Sequence, residues 1–135
     1  MQKYLILLVL SVLTISCSDS STNYNEIELD KEFNIKIGDS AVLVEQGVIV
    51  KFKSVAGDSR CPAGAVCVWE GNAIAILELK NSNVDTLIAN LNTSIEPKVL
   101  NFSNLIIELK SLAPYPKLNE SLNPNDYVAK LLIRK

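Results

Sequence analysis

From residue 32 onward, apolar and polar side chains take turns along the chain, and this period of two limits the fold more than any other feature. Phe33, Ile35 and Ile37 alternate with Asn34 and Lys36, and Ala41–Glu45 is a short apolar run closed by Gln46-Gly47. Val48, Val50 and Phe52 alternate with Lys51 and Lys53, and Ala73, Ala75, Leu77 and Leu79 share one parity against Glu78 and Lys80. Val84–Leu91 follows the Asn81-Ser82-Asn83 turn. Leu105, Ile107 and Leu109 alternate with Glu108 and Lys110, and Tyr127, Ala129, Leu131 and Ile133 with Lys130 and Arg134. Side chains on successive strand residues point to opposite faces, so this pattern marks strands with one buried face. No stretch of ten or more residues carries a clean helical period. Seven or eight such strands predict an all-β fold: an antiparallel, Ig-like β-sandwich, with a small open barrel as the alternative. The stretch Leu122–Tyr127 faintly resembles the tyrosine corner of such sandwiches. Ile106 and Leu132 fall on the polar parity of their strands, where they could mark an interface.

The N-terminus follows a different logic. Lys3 is followed by an almost unbroken apolar run from Tyr4 to Ile15, and polar sequence begins at Ser16. A membrane-spanning helix needs ~20 apolar residues, whereas a charged start and an apolar run of ~7–15 residues make a signal peptide. Leu13-Thr14-Ile15-Ser16-Cys17 resembles the lipobox of bacterial lipoproteins, although leucine stands four rather than three residues before the cysteine. Residues 1–16 are therefore expected to be a lipoprotein signal peptide and Cys17 the lipidation site. Residues 17–31, rich in Ser, Asn, Asp and Glu, are expected to be a flexible spacer, and residues 32–135 a single domain.

Composition excludes several functions. Without the leader, 12 basic side chains face 15 acidic ones, a net charge of −3. Nucleic acid and anionic lipid recruit clustered Lys and Arg, so neither is the expected main partner. The chain has no histidine, which removes most Ser-His-Asp, Cys-His and histidine–metal chemistry. Asp58, Glu70, Glu78, Asp85 and Glu108 could form a carboxylate pair of the glycosidase kind, but most sit in turns or on the solvated parity of strands. Asn123–Asp126 lacks the spacing of a calcium loop and reads as a turn. No nucleophile–base pair is visible. No enzyme, cofactor or metal is expected.

One stretch stands out locally, Gly57-Asp58-Ser59-Arg60-Cys61-Pro62-Ala63-Gly64-Ala65-Val66-Cys67-Val68-Trp69-Glu70-Gly71. Cys61 and Cys67, with Pro and Gly between them, can close a small ring in an oxidising compartment. Three readings compete. In the structural one the disulfide braces the loop, Trp69 packs over it, and Arg60 pairs with Asp58 or Glu70. In the second the loop binds, with Asp58, Arg60, Trp69 and Glu70 as its candidate residues and Arg60 as a conceivable bait for a protease. Redox or metal chemistry is the third, and it fits least: redox motifs favour Cys-x-x-Cys, and a zinc site would be short of ligands.

Asp58-Ser-Arg-Cys-Pro62, then four residues, then Cys67-x-Trp69-x-Gly71-x-Ala73, is similar to the hallmark of a family of small uncharacterised bacterial lipoproteins and secreted proteins. Leu112-Ala-Pro-Tyr-Pro116 and Asp126-Tyr127-x-Ala129 fit the same family, so the resemblance covers roughly residues 33–135. It implies an exported all-β domain and brings no activity or catalytic residue with it. The expected protein is a non-catalytic cell-envelope lipoprotein with an interaction or structural role. Its partners would be a membrane (the outer membrane), reached through the lipid on Cys17, and an envelope protein. The domain would sit in the periplasm or at the cell surface. The alternative is a ligand-binding or protease-inhibitor-like module using the braced loop 58–71.

Overall fold

The computed structural model describes residues 24–135; the expected signal peptide, Cys17 and the first part of the expected spacer, residues 17–23, lie outside the described residues. Among the described residues nine strands form two sheets. They are β1 (Asn25–Glu26), β2 (Glu32–Lys36), β3 (Ser40–Leu43), β4 (Val48–Asp58), β5 (Ala73–Asn81), β6 (Val84–Asn92), β7 (Val99–Phe102), β8 (Leu105–Ala113) and β9 (Val128–Arg134). One sheet has the order β1-β3-β4-β5-β6 and the other β2-β9-β8-β7. Each sheet keeps free edges, so this is a sandwich and not a closed barrel. It shares stacked sheets with immunoglobulin-type domains. Its consecutive strands, however, run as meanders within a sheet, β3 to β6 in one and β7 to β9 in the other.

The core is the one the alternation predicts. Val48, Val50, Phe52, Ala73, Ala75, Leu77 and Leu79 of one sheet face Leu105, Ile107, Leu109, Ala129, Leu131 and Ile133 of the other, all buried. Burial of each large side chain is worth about 1.5–3 kcal/mol. Parity breaks where a bulge inserts a residue. The register of β8 against β9 shifts between Leu109 and Ser111, and the next buried residue is Leu112. β4 carries two such shifts, between Phe52 and Ser54 and between Val55 and Gly57. Bulges bend a strand and re-aim its side chains. Here they turn the last residues of β4, and with them Asp58, toward the mouth of the sandwich.

Two elements depart from the sequence reading. The domain reaches back into the stretch expected to be spacer: Asn25 and Glu26 pair in parallel with Ala41 and Val42, and Ile27 and Leu29 pack against the core. β7 was not recognisable as a strand, being four residues long with Asn101 inside it. It is held by a tight turn to β8 in which Ser103 and Asn104 both take positive φ, the geometry of a type I′ hairpin. The expected turn at Asn123–Asp126 is a short 3-10 segment, capped by the Asn123 side chain accepting from the Asn125 N–H.

Candidate functional site

The loop between β4 and β5 rises from the end of the sandwich where β8 also stops and β9 begins. Its root is polar and buried. Arg60 is only 6% exposed. Its Nε donates to Asp58 Oδ1 at 2.8 Å and its Nη2 to Asp58 Oδ2, a two-point ion pair. The same guanidinium donates from Nη1 to the Leu112 carbonyl and from Nη2 to the Pro114 carbonyl at 2.9 Å. It also lies over the Tyr115 ring, 4.9 Å from the centroid. Asp58 accepts in addition from the Arg60 N–H at 3.2 Å and from the Tyr127 hydroxyl at 2.9 Å. Only arginine offers a planar fork with this many donors. One side chain therefore ties the β4–β5 loop of the first sheet to the β8–β9 connection of the second.

This network shapes the acidities at the root. Burial alone would push the Asp58 carboxyl up. The hydrogen bonds from Arg60 and Tyr127, with the Arg60 charge, outweigh it and hold Asp58 below the ordinary carboxylate value. The Tyr127 hydroxyl is pushed above its ordinary value, first by burial and then by its bond to the Asp58 carboxylate.

Above the root the two arms of the loop pair like a short ladder. Ser59 N–H donates to the Asn72 carbonyl at 2.7 Å, and Cys61 N–H to the Glu70 carbonyl at 2.8 Å. Asn72 is buried and anchors the neighbouring 93–97 connection, donating to Asn92 Oδ1 at 2.8 Å and accepting from the Ser94 N–H at 3.0 Å. Gly71 has φ +74°, and a Cβ there would lie 1.9 Å from the Ser59 carbonyl oxygen. No other residue fits this position without moving backbone.

The upper loop is closed by the Cys61–Cys67 disulfide, Cα–Cα 6.0 Å. It is also sewn sideways to the β8–β9 connection: Ala63 N–H donates to the Pro116 carbonyl at 2.9 Å, and Leu118 N–H to the Ala63 carbonyl at 3.1 Å. What the loop leaves outside is apolar. Val66 and Val68 are fully exposed and Trp69 is 60% exposed, with Tyr115 and Leu118 exposed on the adjoining connection. From Cys61 to Trp69 there is no charged residue.

The candidate residues thus divide. Asp58 and Arg60 come together, as the structural reading expected, and burial removes Arg60 as a bait side chain. Glu70 is exposed and makes no ion pair with Arg60; only its carbonyl serves the loop. Trp69 is 60% exposed, as the binding reading expected. Tyr127 bonds a carboxylate across the sandwich rather than a nearby backbone group, so it is no tyrosine corner. Sequence reasoning missed the carbonyls of Leu112 and Pro114, the ring of Tyr115, and Val66 and Val68 as the exposed tip. The only signal for the tip was an apolar pair flanking Cys67, one inside and one just outside a ring too small to cover it.

Glu78 and Glu108 serve the outer faces. Glu78 meets Lys53 and Lys80, and hydrogen bonds from Lys80 first and then Lys53 hold it below its ordinary value. Glu108 meets Lys110 and Arg134. Among the described residues no cluster of three or more Cys, Asp or Glu is arranged to hold a metal ion. No known family, no curated protein and no solved structure matches the chain.

Proposed function

We propose that the protein is a cell-envelope lipoprotein, acylated on Cys17, whose β-sandwich has a non-catalytic interaction role exercised through the tip of the β4–β5 loop. One observation carries the reading: Asp58 and Arg60 are spent on each other inside the fold, while Val66, Val68 and Trp69 stand in solvent beside a covalent brace. Exposed apolar groups fixed in this way mark a contact surface more often than a solvated one. The disulfide supports an oxidising compartment, as the envelope location requires. A protease-inhibitor-like use of the loop has lost its bait, since Arg60 is enclosed. Recognition of a ligand by the apolar tip is compatible with the same surface.

The anchor is tested by fractionating cells that express the wild type or Cys17→Ala. Wild type is expected in the membrane fraction and the variant in the soluble fraction. A variant that stays with the membranes would remove Cys17 as the tether.

A further inference from the structure

The direction in which the chain enters the domain bears on what the loop tip touches. β1 runs parallel to β3, and β3 antiparallel to β4. Traced backward from Asn25, the chain therefore points the way β4 runs, toward Asp58 and the braced loop. Tyr24 borders a groove with Ser40 and Lys51, which fixes its height on the sheet. Because of its two bulges, β4 advances from Lys51 to Asp58 only as far as the five regular steps from Glu78 to Ala73 on β5, about 17 Å at the strand rise. Seven steps separate Tyr24 from Cys17, a reach of at most about 23–25 Å. A lipid on Cys17 can thus lie level with the loop end of the sandwich. Reaching the opposite end would require the chain to double back.

The tip has the chemistry of an interfacial anchor. Cys61–Trp69 is uncharged, its two valines are fully exposed, and tryptophan favours the boundary between headgroups and acyl chains. The disulfide and the bonds of Ala63 to Pro116 and Leu118 prevent the tip from folding back on the domain. The nearest exposed charges on the adjoining connection, Lys117 and Glu120, pair with each other at 3.5 Å, so that flank favours neither sign of lipid. We infer that Val66, Val68 and Trp69 insert into the interface of the bilayer that holds the Cys17 lipid, making a second contact that fixes the orientation of the domain. This rests on acylation of Cys17.

Trp69 is the sole tryptophan of the chain, so tryptophan emission, excited where tyrosine does not absorb, reports on the tip alone. The experiment reconstitutes the full lipidated protein into phosphatidylethanolamine–phosphatidylglycerol vesicles, with Cys17→Ala in buffer as the water-exposed reference. Trp69 emission is expected to shift to the blue in vesicles and to be quenched more by lipids brominated near the headgroup than near the chain end. Both effects should vanish in a Val66→Asp, Val68→Asp variant that remains acylated by mass. Emission in vesicles equal to the reference overturns the inference while leaving the anchor standing. A blue shift without quenching by brominated lipid overturns it in favour of a protein partner or a second copy. A mass showing an unmodified Cys17 overturns both readings together.

Discussion

The root and the tip of the β4–β5 loop are a few residues apart and arranged in opposite senses. At the root, a buried arginine and a half-buried aspartate are fully partnered; at the tip, two valines and a tryptophan stand in water. The usual assignment of charge to the outside and apolar surface to the inside is reversed within one loop. The difference has a physical cause. Arg60 satisfies carbonyls of a second segment that would otherwise end the sandwich with unpaired acceptors, so its desolvation is offset by several strong hydrogen bonds. Val66 belongs to a ring closed by Cys61 and Cys67, which is too small to contain a core of its own, and Val68 follows directly after it. Polar chemistry holds this loop in place, and its apolar side chains are left free for contact.

The comparison predicts a graded set of effects. The largest belongs to the root. Arg60→Ala takes the guanidinium from a half-buried carboxylate and two carbonyls and should cost about 3 kcal/mol in chemical denaturation. Because Asp58 titrates below its ordinary value of 3.8 in the folded protein, the stability it contributes is fully present above that pH. It is lost as pH falls through the lower folded value. The gap between wild type and variant should therefore be widest near neutrality and narrow in acid below about 3.8. A gap independent of pH would separate Arg60 from Asp58 energetically.

The brace comes second. Replacing Cys61 and Cys67 together by serine frees a ring of about seven residues and should cost roughly 2.4 kcal/mol by loop entropy. Native-state hydrogen exchange should then rise at Ala65, whose N–H donates to the Pro62 carbonyl inside the ring, while the Arg60 network keeps the protection of the wild type. Equal loss of protection at both places would show root and tip to be one unit. The smallest effect on folding belongs to the tip. Trp69→Ala should change stability by no more than about 0.5 kcal/mol, as thermal or urea unfolding would measure. A large loss would mean that Trp69 is part of the fold.

Most of the core was legible because its residues obey a period of two and need no distant partner to be recognised. Val48, Val50, Phe52 and the odd-numbered residues of β9 needed only their own neighbours. Legibility failed where a longer-range or irregular feature intervened. The bulge in β8 moved burial to Leu112; β7 was too short for a period; Asn25 and Glu26 became a strand only because β3 was there to pair with. At the loop, the Arg60–Asp58 pair and the disulfide could be read from local spacing. That Arg60 would be enclosed could not, because the enclosing carbonyls belong to Leu112 and Pro114. The exposure of Trp69 is the converse: nothing in the later chain arrives to cover it.

The two fastenings of the loop also differ in when they can form. Cys61 and Cys67 are separated by 6 residues in the chain, whereas the Arg60 bonds to Leu112 and Pro114 and the Asp58 bond to Tyr127 join residues 52, 54 and 69 positions apart. Closing long loops is slow and gives no return until both sheets are in place. For a chain delivered N-terminus first, the ring can close once Cys67 has emerged. Its seat is complete only when Tyr127 has arrived. Until then the finished apolar tip stands on an unfinished domain, the interval in which the protein is most exposed to wrong partners.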